Sequence, residues 1–211
     1  MARKAPRIYV LAGVNGAGKS SIGGAMIRAS GGEYYNPDEA AKALIAANPG
    51  LEQAKANAAA WRLGKRLLER AITERLDFAF ETTLGGGTMT GILADAAAAG
   101  FEVRVFYVGL ASPELHLERV SRRVGAGGHD IPEADIRRRW RHSRINLVRL
   151  LPVLTELRVY DNSAAADPAA GEAPRPLLVL HVDHGELVGP PDLTATPTWA
   201  RPIVAAALKS S

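Results

Sequence analysis

Short apolar runs alternate along the chain with longer segments in which apolar residues recur every three or four positions. The short runs, rich in Ile, Val, Phe and Tyr, are typical of buried strands, and the longer segments are typical of helices. Strands are predicted at residues 7–12, 34–36, 78–81, 101–108 and 157–160. Helices are predicted at 18–29, from Pro37 onward, at 51–76, from the glycines 85–87 to about residue 100, and at 113–124 and 132–151. This alternation predicts a three-layer α/β/α fold with a mostly parallel sheet.

The last fifty residues follow a different pattern. Residues 162–176 are rich in Ala, Pro and Ser, which predicts a solvated loop. Residues 177–182 predict a late strand at the edge of the sheet, with Gly185 in a turn after it. From Gly189 onward the prolines argue against regular structure until a short helix at 203–208. We therefore expect one domain over residues 1–211, ending in an edge strand and tail at about 177–211.

Composition narrows the class of protein. The chain has 211 residues and 47% of them are apolar, which is typical of an ordinary soluble domain. There is no cysteine, so disulfides and thiolate metal sites are excluded, and a reducing compartment fits. The basic start and the apolar residues 8–14 superficially resemble a signal peptide, but the run is short and leads directly into a glycine motif. We expect a cytoplasmic protein with no membrane association.

The glycine motif is the sharpest chemical signal in the sequence. Residues 13–20, Gly-Val-Asn-Gly-Ala-Gly-Lys-Ser, match the Walker A pattern between a predicted strand and a predicted helix. In such a loop the backbone N–H groups surround phosphate oxygens, Lys19 contacts the β- and γ-phosphates, and the Ser20 hydroxyl binds Mg²⁺. The predicted ligands of ATP are Gly13, Asn15, Gly16, Ala17, Gly18, Lys19, Ser20 and Ser21.

Acidic residues lie at or just after the ends of two of the predicted strands. Asp38 comes just after the second strand, so it should lie at the carboxyl edge of the sheet, where ligands of such folds bind. There it would accept a proton from a hydroxyl that attacks the γ-phosphate, or it would only stabilise the start of a helix, as its neighbour Glu39 would. Glu81 ends the third strand before Thr82 and Thr83. It would bind substrate hydroxyls or a magnesium-bound water, or cap the next helix.

The net charge of +4 has a local origin, because residues 118–149 carry nine arginines against four acidic residues. This segment predicts an Arg-rich helical lid at about residues 112–151 with a glycine hinge at 125–128. Arg119 and Arg123, like Arg137 and Arg141, are repelling pairs that a polyphosphate would relieve. Taken one by one, most of these arginines also fit a solvated helix surface. Nucleic-acid binding fits poorly, because no aromatic residue other than Trp140 is interleaved with them.

His129 directly follows the predicted hinge, in the sequence Gly-Gly-His-Asp. It would hydrogen-bond a phosphate or order the hinge, and the sequence leaves both roles open. No second ligand stands at metal-site spacing, so a zinc site is not predicted. A guanine-reading Asn/Thr-Lys-x-Asp motif is also missing, which excludes a regulatory GTPase.

Four motifs in this order and spacing resemble the zeta-toxin family of P-loop kinases, particularly its compact members. They are the phosphate loop with Ser20-Ser21, then Asn36-Pro-Asp38, then Glu81-Thr-Thr-Leu-Gly, then Gly127-Gly-His-Asp-Ile-Pro132. The likeness runs from about Ile8 to Asn162. Larger members of the family use ATP and Mg²⁺ to phosphorylate the sugar 3′-hydroxyl of UDP-N-acetylglucosamine.

The resemblance implies roles for individual residues. Asp38 would be the base, Lys19 a phosphate ligand and Arg119 a transition-state clamp; Glu81 would contact the substrate, and Thr83 and His129 join it as predicted substrate residues. Larger members carry a second clamp arginine near the position that His129 occupies in this chain. Its absence here leaves Arg138 or Arg139 as substitutes. An antitoxin protein is an implied partner. A nucleotide-binding module or ATPase that acts through a protein partner is the alternative, and Asp38 discriminates between them, because only a kinase needs it to face the γ-phosphate.

Overall fold

The structure is a computed structural model that describes residues 4–22, 34–164 and 175–210, without the side chains of Ser21 and Ile22. Its strands are β1 Arg7–Ala12, β2 Tyr34–Tyr35, β3 Phe78–Thr82, β4 Glu102–Gly109, β5 Glu156–Asp161, β6 Leu177–Asp183 and β7 Glu186–Gly189. Its helices are α1 Lys19–Ile22, α2 Pro37–Ala47, α3 Gln53–Glu74, α4 Gly87–Ala98, α5 Pro113–Gly125, α6 Glu133–Leu150 and α7 Arg201–Ser210, with a 3₁₀ turn at Leu151–Val153. The predicted helix at 18–29 and loop at 162–176 lie partly outside the described residues.

All seven strands form one sheet in the order β2-β3-β1-β4-β5-β6-β7. The pairs among β1 to β5 are parallel, whereas β6 and β7 are antiparallel to their neighbours. The predicted fold class is therefore confirmed. Because β1 lies between β3 and β4, the carboxyl ends of these three strands meet at one edge of the sheet, and ligands of such folds bind there.

One prediction about the sheet is wrong: residues 177–182 are not its edge. Strand β6 pairs on one side with β5 and on the other with β7, which is the edge strand and was not predicted. Only His184 and Gly185 separate β6 from β7, and both have positive φ (50° and 82°), as a two-residue hairpin turn requires. The turn at Gly185 was predicted correctly, but the two apolar residues after it are too few to indicate a strand.

The main core lies on one face of the sheet. Alternate residues of the central strands, such as Ile8, Val10, Val103 and Val105, are fully buried there. They pack in one cluster with residues of α4, α6 and α7, including Leu93, Leu147, Leu150 and Ile203. Helix α6 is thus anchored in this core near its carboxyl end, while its amino end reaches the ligand-binding edge. Among the described residues, no helix is both long and apolar enough to cross a membrane.

Candidate active site

Residues 13–20, called here the phosphate loop, run from the end of β1 into the first turn of α1 and need glycine at two contact points. Gly13 has φ of +143°, and a Cβ on it would lie 2.2 Å from the carbonyl oxygen of Val108 in β4. Gly16 has φ of +81°, and a Cβ there would lie 2.9 Å from the carbonyl oxygen of His116 in α5. Both the backbone conformation and the space exclude a side chain. The loop therefore packs backbone against backbone on β4 and α5.

Lys19, at the start of α1, and Glu81, in β3, form a buried ion pair. Lys19 Nζ lies 3.3 Å from Glu81 Oε1, and the two side chains are only 6% and 8% exposed. Lys19 also donates to the carbonyl oxygen of Val14 in the phosphate loop. The ammonium group is thus held between the loop and the end of β3, within a site that solvent hardly reaches.

Glu81 collects donors from three directions. Its Oε2 accepts hydrogen bonds from the hydroxyls of Ser20 (2.9 Å) and Tyr34 (2.7 Å) and from Asn36 Nδ2 (3.2 Å). Burial by itself would raise the pKa of Glu81, but the charge of Lys19 and the hydrogen bonds from Tyr34 and Ser20 outweigh it and lower the pKa. Glu81 is therefore ionised at neutral pH, and it does not cap the following helix, whose N-cap is Gly86 without a side-chain bond.

Asp38 occupies the first turn of α2, where the predicted cap is confirmed. Asn36 Oδ1 accepts from the backbone N–H groups of Asp38 and Glu39 at 2.9 and 3.3 Å. Because the backbone of Asp38 is already capped by Asn36, its carboxylate is not needed for that purpose. It is 38% exposed, and Oδ2 lies 3.9 Å from a guanidinium nitrogen of Arg123.

A cavity of about 510 Å³ lies beside the phosphate loop and brings several predicted residues together. Asn15, Asp38, Glu81, Thr83 and His129 all line it. Further lining residues come from β2 to α4 and the lid: Tyr35, Pro37, Ala54, Asn57, Ala58, Trp61, Gly64, Phe80, Thr82, Gly85, Gly86, Thr88, Met89, Asp130, Ile131, Pro132, Asp135 and Arg139. Residues that sequence reasoning drew from separate motifs thus share one site.

Helix α6 presents one of two adjacent arginines to this cavity. Arg139 lines it and donates to Asn15 Oδ1 at 2.8 Å, while its other nitrogen lies 3.5 Å from Asp135. Arg138, named as a catalytic candidate, is 52% exposed and donates to Oδ1 of Asp135, the carboxylate whose other oxygen lies near Arg139. Of these two arginines, Arg139 lines the cavity and Arg138 does not.

Arg119 lies behind the phosphate loop and does not line the cavity. Its guanidinium donates to the carbonyl oxygens of Asn162 (2.8 Å) and Ala164 (3.2 Å) after β5. Asn162 in turn donates to the carbonyl oxygen of Ala17 at 2.9 Å. In this structure Arg119 therefore ties the loop after β5 to the back of the phosphate loop. Burial lowers its pKa, and the neighbouring Arg122 adds to this shift.

His129 lies in the connection between α5 and α6, near Asp38. Burial lowers the pKa of His129, and Arg123, Lys42 and Arg139 lower it further, whereas Asp38 opposes them. The imidazole is therefore neutral at neutral pH and is able to donate from one nitrogen and accept at the other. Arg123 donates to the carbonyl oxygen of His129 and also lies 3.9 Å from the Asp38 carboxylate, so it links these two residues.

His116 supports the phosphate loop and was not predicted. Its Nδ1 lies 2.8 Å from the carbonyl oxygen of Asn15, and the side chain is 1% exposed. Burial lowers its pKa to about 4, with Lys19 and Arg119 adding to the effect, so the ring is neutral and donates from Nδ1. The one signal in the sequence is a histidine on the apolar side of an amphipathic helix, three residues before Arg119, and that pattern is equally typical of a core residue.

The oxygen atoms around Ser20 fit a magnesium ion. The Ser20 hydroxyl donates a hydrogen bond to Glu81, which leaves the lone pairs of the hydroxyl oxygen for a cation, and the carboxylate itself is a hard ligand of the kind Mg²⁺ prefers. Ser21, the other hydroxyl of the predicted loop, lies outside the side chains that the structure describes.

The strand order and the glycine loop after β1 define a P-loop kinase fold. Within that class, the sequence model of the zeta toxin family matches residues 1–167, and the chain belongs to this family. An uncharacterized protein of Haemophilus influenzae is 30% identical over 128 residues, which are 61% of this chain and 88% of that one.

Solved structures show the same fold at low sequence identity. The AvrRxo1-ORF1:-ORF2 complex with ATP aligns with a TM-score of 0.67 and 17% identity, over 96% of this chain but only 63% of that one. The PezAT toxin–antitoxin system of Streptococcus pneumoniae aligns with a TM-score of 0.56 and 18% identity, over 76% and 70% of the two chains. At these identities the likeness establishes the fold and nothing finer.

Proposed function

We propose that the protein is an ATP-dependent kinase that phosphorylates a hydroxyl group of a small molecule. The observation that carries the proposal is that Asp38 lines one cavity together with Asn15 of the phosphate loop and with Glu81. A carboxylate that is free of a capping role, beside a phosphate-binding loop, is what phosphoryl transfer to a hydroxyl requires.

The residues supply the parts of such a reaction. The phosphate loop and Lys19 would bind the β- and γ-phosphates, and the acceptor would occupy the cavity with its hydroxyl beside Asp38. The acceptor oxygen bonds to the γ-phosphorus, the bond from that phosphorus to the β,γ-bridging oxygen breaks, and ADP leaves. Asp38 orients the hydroxyl and takes its proton. This role is consistent with phosphoryl transfer in general, in which protein groups mainly position the reactants and stabilise the charge of the transferring group.

Cationic groups would stabilise the negative charge of the transferring phosphoryl group. Arg139, the lid cation that lines the cavity, is suited to this role because its present partner, Asn15, belongs to the phosphate loop. Ser20 and Glu81 would hold Mg²⁺, which neutralises phosphate charge when it is bound. With its guanidinium on the carbonyl oxygens of Asn162 and Ala164, Arg119 would affect the phosphates only from behind the loop. It would contact the transferring phosphoryl group directly only after leaving these oxygens.

Family membership supports the same reading and suggests a partner. UDP-N-acetylglucosamine, the acceptor of larger members, is the first candidate substrate to test. One similar solved structure is an AvrRxo1-ORF1:-ORF2 assembly and another belongs to a toxin–antitoxin system, which supports the proposal that an antitoxin protein binds this chain as well.

The test is mass spectrometry of a metabolite extract incubated with the protein and Mg·ATP. A kinase produces ADP and a new species heavier by one phosphate, in equal amounts. Release of ADP and inorganic phosphate without such a species would contradict the kinase and favour an ATPase that acts through a partner. The chain with Lys19→Ala is the control for contaminating kinases.

A further inference from the structure

Helix α5 lies directly behind the phosphate loop and contacts its backbone. The carbonyl oxygen of Asn15 lies 2.8 Å from Nδ1 of His116, and a Cβ on Gly16 would lie 2.9 Å from the carbonyl oxygen of the same histidine. One turn further along α5, Val120 belongs to the same buried apolar cluster as Val14 of the loop. Three consecutive residues of the loop thus rest on one face of α5, with His116 as their polar contact.

This contact sets the direction of the peptide group between Asn15 and Gly16. The C=O and N–H bonds of a trans peptide group point in opposite directions. Because His116 holds the carbonyl oxygen of Asn15 toward α5, the N–H group of Gly16 is turned away from the helix. Asn162 holds the carbonyl oxygen of Ala17 in a similar way, at 2.9 Å. Backbone N–H groups that are turned to one side of a loop form a concave site for phosphate oxygens.

Packing alone does not explain a histidine at this position. The side chain is 1% exposed, and no described residue gives its Nε2 a hydrogen bond. A buried polar atom without a partner costs free energy, which a leucine of similar volume would avoid. Burial lowers the pKa of His116 to about 4 although the bond to Asn15 opposes this shift, so the ring stays neutral and adds no positive charge near Lys19. What the ring has and a leucine lacks is the donor Nδ1.

Asn15 also connects this contact to the lid. It is only 6% exposed, and its Oδ1 accepts a hydrogen bond from Arg139 at 2.8 Å. His116 therefore holds the backbone of the residue whose side chain holds Arg139, the cation proposed to stabilise the transferring phosphoryl group. A displaced Asn15 would move both an N–H donor of the phosphate loop and this guanidinium.

We propose that His116 is a positioning residue, which turns the N–H group of the Asn15–Gly16 peptide toward the phosphates of ATP and, through Asn15, places Arg139. The histidine lies behind the loop and does not line the cavity, so it acts only through the residues that it holds. This inference rests on the proposed kinase function and adds to it a residue outside the site of the reaction.

The first test measures the Kd of Mg·ATP by calorimetry for the parent and three variants. His116→Leu keeps the volume of the side chain and removes the donor, so it should raise Kd about tenfold or more while the thermal melt stays close to that of the parent. His116→Asn places an amide N–H near the position of Nδ1 and should restore most of the affinity. Leu93→Ala, in the buried core, is the matched control, because it should lower the melting temperature and leave Kd unchanged.

The outcomes separate this inference from the function on which it rests. A parent protein that does not bind Mg·ATP contradicts the kinase. An unchanged Kd in His116→Leu, or equal losses of affinity in His116→Leu and His116→Asn, would refute the role of Nδ1 and leave the kinase intact. If His116→Leu does not fold, His116→Gln takes its place, because its amide lies near the position of Nε2 and should not restore the affinity.

The second test is a double-mutant cycle of His116→Leu with Arg139→Ala. Turnover is measured as ADP formation at saturating Mg·ATP, with a metabolite extract as the source of the acceptor and Lys19→Ala as the background. If His116 places Arg139 through Asn15, Arg139→Ala should reduce turnover several-fold less in the His116→Leu background than in the parent. An equal reduction in both backgrounds would overturn the link through Asn15 to the lid.

Discussion

Asn36 links two acidic residues of the site, Asp38 through its backbone and Glu81 through its side chain. Its Oδ1 caps the backbone of Asp38, and its Nδ2 donates to Glu81 Oε2. One side chain therefore fixes the start of α2 relative to the end of β3, and with it the distance from the proposed base to the phosphate loop. The sequence predicts the cap, because Asn followed by Pro is typical of a helix start. The bond to Glu81 joins residues 45 positions apart, and no local pattern indicates it.

Asp38→Asn should fold and bind Mg·ATP normally but lose phosphotransfer by about 10²–10⁴-fold, since asparagine cannot accept the proton. Glu39→Gln is the matched control, because it removes an acid from the same helical turn and from the same interaction with the helix dipole. The measurements are single-turnover phosphotransfer and a thermal melt of each variant. If the two variants lost stability alike and both kept full phosphotransfer, Asp38 would be a helix-start acid and no more.

Glu81→Gln should make stability less dependent on pH. The pKa of Glu81 is lower in the folded state, so its contribution to stability is present above the pKa of the unfolded chain and disappears as the pH falls through the folded value. The variant should be less stable at neutral pH, because Lys19 stays buried without its counter-charge. Its free energy of unfolding should then fall less steeply than that of the parent from about pH 7 to about pH 3.

The measurement is urea unfolding at a series of pH values. Glu74→Gln is the control, because Glu74 is a solvent-facing acid of α3 paired only with Arg70 among its described ion pairs. Parallel pH profiles for the parent and Glu81→Gln would show that the ion pair adds nothing to acid sensitivity.

At the scale of elements, α6 connects the cavity to the core. Arg139 is three residues after buried Ile136 and four before buried Ser143, so it belongs to the inward face of the helix, whereas Arg138 is turned away from it. The sequence already indicates which side of α6 faces inward, because Ile136, Trp140 and Leu147 share a face. A resemblance between motifs, however, cannot decide which of two adjacent arginines lies on that side. The phosphate loop was predictable for the opposite reason: its ligands are consecutive and their geometry is local.

Arg139→Ala should lower turnover by about 10²-fold with a smaller change in ATP affinity, since a cation that stabilises the transferring charge acts mainly in the transition state. Arg138→Ala, one residue away on the outer side, should leave turnover unchanged. Steady-state kinetics of both variants with the same acceptor provide the measurement. The reverse ranking, with Arg138→Ala the more damaged enzyme, would mean that the lid rotates before transfer.

At the scale of the whole molecule, the segment after β5 supports the sheet from outside the site. Trp199, which precedes α7, covers Gly109 at the end of β4, and a Cβ on that glycine would lie 2.3 Å from its ring. Tyr107 and Trp199 also pack together, with ring centroids 6.2 Å apart. This packing could not be predicted, because the prolines in residues 190–200 indicate irregular structure and no periodic pattern there shows that the segment contacts the sheet.

Gly109→Ala should destabilise the protein by about 1–3 kcal/mol, because the added methyl group enters occupied space. Gly91→Ala is the matched control: Gly91 lies inside α4 with no atom near the site of a Cβ, so the same change there should stabilise by about 0.5–1 kcal/mol. Chemical denaturation of both variants measures the difference. Equal stabilities would mean that Trp199 moves aside at no cost.

Every described residue that lines the cavity lies between positions 15 and 139, so the last third of the chain contributes none of them. Over evolution, the two parts therefore face different selection. A substitution of a cavity residue would be selected through the proposed chemistry, whereas one in β6, β7 or α7 would be selected chiefly through stability and folding. Lineages of this family should consequently diverge fastest in the C-terminal third while they keep the same reaction.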